Sequence, residues 1–95
     1  MIVTFRGPLA EDLFFDRHTG VTRRFPQELR HAAQRKLQFV NAAGALNDLM
    51  IPPGNRLETL KGSLAGYHSI RINDQWRIVF RWRNGAYEVQ VMDYH

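Results

Sequence analysis

The spacing of hydrophobic residues changes near residue 55, and this change divides the chain into a helical half and a β half. Leu29, Ala33, Leu37 and Val40 recur at helical spacing and predict one long amphipathic helix. It begins near Pro26, because a proline in a first turn removes an N–H that would be unpaired anyway. After residue 55 apolar and polar residues alternate, which is typical of strands with one buried face.

Shorter elements are predicted on either side of the long helix. We expect an opening strand over residues 2–5, a short helix over 9–15 and a further helical turn over 45–50. The Pro-Pro-Gly-Asn sequence at 52–55 is typical of a loop. In the β half, strands are expected at 56–60, 67–72, 76–83 and 87–95.

The Asn-Gly dipeptide at 84–85 predicts a tight hairpin, because it is the preferred pair for a two-residue type I′ turn. That turn gives the cross-strand pairs Trp82 with Tyr87, Arg81 with Glu88, and Ile78 with Val91. The apolar residues then share one face, and Arg81 and Glu88 form an ion pair on the other.

The preceding turn, at residues 73–75, needs an odd number of residues. A two-residue loop would place Ile70 opposite Arg77 and mix the faces, since a one-residue slip flips every side chain. A three-residue loop instead pairs Ile70 with Ile78 and Arg71 with Arg77.

Helices followed by antiparallel strands are typical of an α+β domain. We expect a single domain over residues 1–95, with two to three helices covering the apolar face of a three- to four-stranded antiparallel sheet. The opposite face, which carries Tyr67, Arg71, Arg77 and Arg81, is then left open to a partner.

The net charge is +4, and it is concentrated in the β half. Residues 56–83 hold six basic side chains against two acidic ones. Clustered arginine is an electrostatic signature of nucleic-acid binding, although a solvated strand face explains it equally well. On the long helix we expect Arg30, Arg35 and Lys36 to form a solvated face, with RNA contact as the functional alternative.

Composition excludes several kinds of chemistry. The chain has no cysteine, so disulfides, zinc–thiolate sites and thiol nucleophiles are excluded. No histidine and acid set has the HxxxH or HExxH spacing, and no GxGxxG or P-loop is present, so we expect neither metal nor cofactor. No apolar run approaches the roughly 18 residues that span a bilayer, and no signal peptide is evident. A soluble cytoplasmic protein without membrane contact is expected.

The C-terminal residues Asp93, Tyr94 and His95 bring an acid, a phenol and an imidazole together at the end of the last predicted strand. Beside the upstream arginines, such a set suits chemistry on a phosphodiester. Strict alternation places Tyr94 on the face of Arg77 and sends Asp93 and His95 to the other. The three groups converge only if the strand leaves regular geometry near its end.

The β half resembles the HigB branch of the RelE/ParE toxin superfamily. The resemblance rests on the segments RLETLKG at 56–62, GYHSIRI at 66–72, NDQWRIVF at 73–80 and VMDYH at 91–95. Residues 1–54 are compatible with the family in length and helix order.

The resemblance implies a toxin of a type II toxin–antitoxin system that enters the ribosomal A site and cuts mRNA there without a metal. It also implies two kinds of partner, a HigA-like helix-turn-helix antitoxin and the 70S ribosome. Other members of the superfamily inhibit DNA gyrase, so a ParE-like gyrase inhibitor without nuclease activity is the alternative. A pure RNA-binding module is a third reading.

The family's catalytic positions fall on Lys61, Arg77, Asp93, Tyr94 and His95. Metal-free cleavage needs a base for the 2′-OH, cations around the phosphate and an acid for the leaving 5′-oxygen. Arg77 and Lys61 fit the phosphate, Tyr94 and His95 fit the proton transfers, and Asp93 fits a supporting role. Arg71, Arg81 and Arg83 are candidate RNA contacts.

Two residues depart from the family pattern. Relatives often have histidine where this chain has Glu58, and some have arginine where it has Asn73. The roles of both residues therefore stay open, and Arg71 is a possible substitute for the missing arginine.

Overall fold

The computed structural model describes residues 1–94, in which helices precede a four-stranded antiparallel sheet. The helices are α1 (Pro8–Phe14), α2 (Gly20–Arg23) and α3 (Arg30–Ala42), and the strands are β1 (Glu58–Thr59), β2 (His68–Arg71), β3 (Trp76–Trp82) and β4 (Ala86–Asp93). Single 3-10 turns lie at Gln27–Leu29, Leu46–Met50, Pro53–Asn55 and Gly62–Leu64. The strands lie in the order β1-β2-β3-β4. The predicted α+β class is confirmed.

Helices α1 and α3 cover one face of the sheet. Leu13 of α1 and Leu37 and Val40 of α3 are fully buried in a cluster with Ile78 and Phe80 of β3. Each such side chain contributes roughly 1.5–3 kcal/mol by leaving water. This cluster is the main core, and it forms on the face that alternation in the β half predicted.

Two of the three basic residues that were predicted to be solvated on α3 are buried. Arg30 is 8% exposed and donates from Nη2 to Asp16 Oδ1 at 2.9 Å. Lys36 is 9% exposed and donates from Nζ to Asn55 Oδ1 at 2.5 Å. The prediction was wrong for both because their partners come from distant parts of the chain. Arg35 is exposed, as predicted.

The N-terminal segment runs parallel to the outer edge of β4. It forms two isolated bridges, between Ile2 and Ala86 and between Phe5 and Val89. The predicted opening strand is therefore an extended segment rather than a regular strand of the sheet.

The β3–β4 hairpin departs from the predicted register near its turn. Trp82 pairs with Ala86, one residue short of the predicted partner, while Ile78 pairs with Val91 as predicted. A β-bulge separates the two registers, and Glu88 adopts a φ of +53° within it.

Hydrogen bonds from the N-terminal segment hold the bulge in place. The Asn-Gly dipeptide of the turn gives no information about these bonds, so the bulge could not be predicted from it. The Glu88 amide donates to Thr4 Oγ1 at 2.8 Å, and the Val89 amide donates to the Thr4 carbonyl at 3.0 Å. Glu88 Oε2 still lies 3.1 Å from Arg81 Nε, so the predicted ion pair forms although the cross-strand neighbour of Arg81 is Tyr87.

The β2–β3 turn has the predicted odd length, and Ile70 pairs with Ile78 and Arg71 with Arg77. Asn73 organises this turn. Its Oδ1 accepts hydrogen bonds from the amides of Gln75 at 2.9 Å and Trp76 at 2.7 Å. These bonds give Asn73 a structural role.

Replacing Asn73 with alanine is expected to lower the free energy of unfolding by about 1 kcal/mol, because two turn amides lose their acceptor. Urea denaturation of the purified chain measures this. Asn73→Asp keeps the acceptor oxygen and should cost less than half as much. Equal losses in the two variants would refute the turn-organising role.

The face opposite the helices is less open than predicted. Residues 60–67 fold over it, so that Leu60 and Tyr67 are buried against Val79. Met92 and Tyr94 pack against the same small cluster. This cover leaves the arginines in two places, around Arg77 on one side and around Arg81 on the other. Within residues 1–94, no helix has the length and hydrophobicity that a membrane crossing requires.

Candidate active site

Two arginines lie directly opposite each other on neighbouring strands. The sheet register pairs Arg71 of β2 with Arg77 of β3. Like charges in this position have Cβ atoms about 4.5–5.5 Å apart and repel each other. Arg71 is paired with Asp74 and Arg77 with Glu58, but these carboxylates are 93% and 50% exposed. Such exposed ion pairs are weak, so an anion that enters here meets two poorly neutralised cations.

The guanidinium of Arg77 is held in place from several sides. Its Nη1 donates to the Oγ of Ser69, a fully buried residue, at 2.9 Å, and its Nη2 donates to Glu58 Oε1 at 3.3 Å. Its Cζ lies 5.5 Å from the centre of the Tyr94 ring. The side chain is only 14% exposed. Arg77 is thus preorganised, so that little order is lost when it binds a ligand.

Tyr94 lies just beyond the end of β4, on the same side as Arg77. Its amide donates to the Gln75 carbonyl at 2.8 Å, so the chain is still fixed to the β2–β3 turn at this point. The cation–π contact with Arg77 places the phenol beside the guanidinium.

Asp93 and His95, the neighbours of Tyr94, were predicted to reach the same place only if β4 ended irregularly. β4 extends through Asp93, which pairs with Trp76, and Asp93 Oδ2 accepts a hydrogen bond from Gln75 Nε2 at 2.9 Å. Alternation therefore directs Asp93 away from the side that carries Tyr94. His95 lies outside the described residues.

Lys61 and Glu58 come from the segment that leads out of β1. Glu58 is the first residue of β1, and Lys61 precedes the 3-10 turn that starts the cover over the sheet. Lys61 is exposed, and within residues 1–94 its ammonium forms no hydrogen bond or ion pair, while its carbonyl accepts from the Leu64 amide at 3.3 Å. This segment thus places the Glu58 carboxylate in contact with Arg77, and the Lys61 ammonium follows Glu58 closely in sequence.

Arg81 lies farther along β3 and Arg83 directly follows the end of that strand, both away from Arg77. Arg81 stacks on Tyr67, with its Cζ 4.3 Å from the ring centre, and contacts Glu88. The hydrogen-bonding Tyr67 phenol and then the Glu88 carboxylate raise the pKa of Arg81 above its usual value. Arg83 is exposed and has no ion-pair partner in residues 1–94.

The structure thus brings together four of the predicted residues, namely Glu58, Arg71, Arg77 and Tyr94. It places Arg81 and Arg83 at a second position on the same face, and it assigns Asn73 to a turn. Sequence reasoning missed Ser69 as a site residue. Its signal was a small polar residue that alternates onto the arginine side of β2.

No group of three or more histidine, aspartate or glutamate side chains among residues 1–94 is arranged to hold a metal ion. The groups that the structure brings together at the candidate site are the guanidinium groups of Arg71 and Arg77, the Glu58 carboxylate and the Tyr94 phenol.

His68 is half-buried on β2 and packs on the ring of Phe80, with its Nδ1 3.1 Å from Thr59 Oγ1. Burial lowers the pKa of His68 below its usual 6.5. The unfolded chain therefore binds a proton that the folded chain resists, and stability is lost as pH falls from about 6.5 through the folded pKa.

We expect His68→Gln to remove this part of the pH dependence. Urea unfolding of both proteins between pH 5 and pH 7.5 measures the difference. His31→Gln, which removes an exposed imidazole, is the matched control for the substitution itself. Parallel curves for His68→Gln and the unsubstituted chain would exclude His68 as the titrating group.

Comparisons with known proteins agree with the fold. A family model described as "RelE-like toxin of type II toxin-antitoxin system HigB" matches residues 4–95. The chain is 40% identical to Toxin HigB-1 of Vibrio cholerae over 97 residues, covering 100% of this chain and 98% of the relative. It is 35% identical to Endoribonuclease HigB of Proteus vulgaris over 100 residues, covering 100% of both.

Among solved structures, the YoeB-YefM complex from Staphylococcus aureus contains a chain with a similar fold. The TM-score is 0.60 at 22% identity, and the match covers 100% of this chain and 98% of the other. At this level of identity the comparison concerns the fold alone.

The fold and the matching family model together define the class as RelE-like toxins of type II toxin–antitoxin systems. Within this class, the chain belongs to the HigB-like toxin family. The resemblance noted in the β half is confirmed, and it extends over nearly the whole chain.

Proposed function

We propose that this chain is a ribosome-dependent endoribonuclease that cleaves mRNA in the ribosomal A site and so inhibits translation. The proposal is supported by the full-length similarity to Endoribonuclease HigB of Proteus vulgaris. The observation that carries it is Arg77, a largely buried guanidinium held by the Ser69 hydroxyl and the Tyr94 ring. A rigid guanidinium fork matches the non-bridging oxygens of a phosphodiester.

The phosphate is bound by Arg77, with Arg71 opposite and Lys61 as the mobile cation. Binding displaces the exposed carboxylates of Glu58 and Asp74 from the two arginines, which costs little because these ion pairs are solvated. The cations then stabilise the negative charge that grows on the phosphate in the transition state. Arg81 and Arg83 contact the RNA farther along the strand, on one side of the scissile phosphate.

Cleavage proceeds through the 2′-OH of the nucleotide that precedes the scissile bond. Glu58, released from Arg77 but still beside it, accepts the 2′-OH proton, and the 2′-oxygen attacks phosphorus. Tyr94 or His95 protonates the departing 5′-oxygen, and Asp93 supports this end of the chain through Gln75. The products are a 2′,3′-cyclic phosphate and a 5′-OH, and no metal takes part.

The toxin class supplies an antitoxin partner, and we propose that it is a HigA-like helix-turn-helix protein. The other partner is the 70S ribosome, and the reaction takes place in the cytoplasm, where translation occurs. The basic face around Arg77 is the part of the toxin that meets mRNA and ribosomal RNA.

A translating bacterial extract tests this function. Purified chain should cut a reporter mRNA within its open reading frame, leave the same mRNA intact when no ribosome is present, and give 2′,3′-cyclic phosphate ends. A 2′-deoxy substitution at the cleaved nucleotide should block the cut, because the nucleophile is missing.

The matched variants are Tyr94→Phe, which removes one hydroxyl from the site, and Tyr87→Phe, which removes one hydroxyl farther along β4. Only the first should slow cleavage, by about 10²-fold. Intact mRNA on active ribosomes, together with inhibition of gyrase supercoiling, would overturn the proposal in favour of a ParE-like toxin.

A further inference from the structure

A cleft of about 320 Å³ opens at the hairpin end of the sheet face that carries Arg77. It is lined by Gly66, Arg81, Trp82, Arg83, Tyr87 and Glu88. Its volume is at the lower end of the roughly 300–1,000 Å³ that small-ligand sites occupy. No step of the proposed cleavage takes place in it.

The charges around the cleft favour a ligand with a neutral part and an anionic part. The Glu88 carboxylate lies between two arginines, with Oε2 3.1 Å from Arg81 Nε and Oε1 3.8 Å from Arg6 Nη1, and it accepts a hydrogen bond from the Tyr67 hydroxyl at 2.7 Å, so the Arg81–Glu88 pair is already engaged. A phosphate at this pair would meet the Glu88 carboxylate and be repelled. Arg83, at the edge, has no ion-pair partner in residues 1–94 and is available to an anion.

Two of the side chains that line the cleft, Tyr87 and Arg81, carry planar groups and are cross-strand neighbours. The guanidinium of Arg81 already stacks on Tyr67, with its Cζ 4.3 Å from the ring centre, so a base would use the Tyr87 ring and the other side of the guanidinium. Nucleobases stack on aromatic rings and on guanidinium planes. Gly66 has a φ of +91°, and a Cβ there would lie 3.1 Å from Arg81 Nη1. The glycine therefore lets this stretch of chain approach Arg81.

The cleft is placed in line with the proposed scissile phosphate. Arg81 lies on the same strand and the same face as Arg77, four residues further on. Four residues of a strand span about 13 Å. This distance exceeds the spacing of successive phosphates in one strand, so it suits a nucleotide about two positions away on the same RNA strand rather than the nucleotide that is cut.

We propose that the cleft is a binding subsite for the base of a nucleotide about two positions from the scissile phosphate in single-stranded RNA. The base stacks on Tyr87 and Arg81, and Arg83 holds the adjoining phosphate. The proposal deepens the endoribonuclease function and rests on it for the identity of the ligand, but its binding step does not require cleavage.

The test is an NMR titration of the full chain with a short 2′-O-methyl oligoribonucleotide, which binds without being cut, at low salt. The indole N–H of Trp82, in the cleft, should shift. The indole N–H of Trp76 reports on the other end of β3, where its ring packs on Phe25, and should move far less. An unmoved Trp82 signal at saturating oligonucleotide would overturn the proposal.

Substitutions distinguish the contribution of base stacking to oligonucleotide binding from the contribution of charge. Tyr87→Ala should weaken oligonucleotide binding by roughly five- to hundredfold, as the loss of a stacked base predicts, while Tyr87→Phe should keep affinity within about twofold.

Arg83→Glu should weaken binding by about tenfold and reduce its salt dependence. Arg24→Glu makes the same charge change at another exposed position and should have a much smaller effect. Equal effects of the two arginine variants, or no effect of Tyr87→Ala, would refute the subsite.

Failure of the subsite and failure of the proposed function give different results. If mRNA is cut on ribosomes but Trp82 never responds to RNA, only the subsite is wrong. If Trp82 responds and Tyr87→Ala weakens binding but no mRNA is cut, the cleavage proposal is wrong while the RNA subsite stands. If Trp82 responds to the antitoxin and not to RNA, the cleft is a protein-docking site and the proposal is overturned.

Discussion

Replacing Arg77 with alanine is expected to lower kcat of ribosome-dependent mRNA cleavage by about 10²–10³-fold, because the transition state loses its preorganised cation. The loss should fall on kcat more than on KM, since the remaining cations still attract RNA before the reaction. Primer extension on a reporter mRNA over a range of ribosome concentrations measures both constants. Activity within threefold of the unsubstituted chain would remove Arg77 from the reaction.

Two further variants show whether the contribution of Arg77 to kcat depends on the geometry of its guanidinium or only on its positive charge. Arg77→Lys keeps the charge but has no fork and cannot satisfy Ser69 and a phosphate together, so it should remain at least tenfold slower than the unsubstituted chain. Ser69→Ala leaves the guanidinium in place without its 2.9 Å partner and should lower kcat while KM changes little. Arg24→Ala, at an exposed position, is the matched control for loss of one positive charge.

Replacing Asn55 with alanine is expected to destabilise the fold by about 2–4 kcal/mol, a large part of the 5–15 kcal/mol of a small domain. Asn55 is fully buried and accepts from Lys36 Nζ at 2.5 Å, and its own amide donates to the Leu49 carbonyl at 3.2 Å. Its loss would leave the buried ammonium without this acceptor. Burial already lowers the pKa of Lys36, which shows how unfavourable this environment is for a charge.

Chemical denaturation of single and double variants checks this assignment. In a Lys36→Met background the charge is gone, so Asn55→Ala should cost at least 1 kcal/mol less than in the unsubstituted chain. Lys36→Met alone should be tolerated better than Asn55→Ala, because it removes the group that needs a partner. Strictly additive losses would show that the two side chains act independently.

The parts of the fold that follow from short-range patterns were predictable. The three-residue turn at 73–75 follows from keeping Ile70 and Ile78 on one face, and it fixes Arg71 opposite Arg77. The helical period of α3 was equally clear. The burial of Arg30 and Lys36 was not, because their partners, Asp16 and Asn55, lie 14 and 19 residues away in sequence.

At the candidate site, too, contacts within a regular strand pattern were predictable and contacts between distant parts of the chain were not. Alternation placed Tyr94 with Arg77, and the Arg81–Glu88 pair was expected from the hairpin. Neither pattern revealed that Glu58 would contact Arg77, since β1 is only two residues long and carries little periodic signal. The bulge was equally hidden, because it depends on bonds from Thr4 at the opposite end of the chain.

The bulge at Glu88 divides the sheet face into two parts with different strand registers. Between Trp76 and Val79 the strands keep one register, and beyond the bulge they keep another. Because a bulge accommodates one extra residue in a strand, we expect a one-residue insertion or deletion in the hairpin to be absorbed there before it reaches Arg77. Under the proposed function, we therefore expect the cleft around Arg81 and Tyr87 to vary between relatives with different RNA sequence preferences, while the end that holds Arg77 keeps its register.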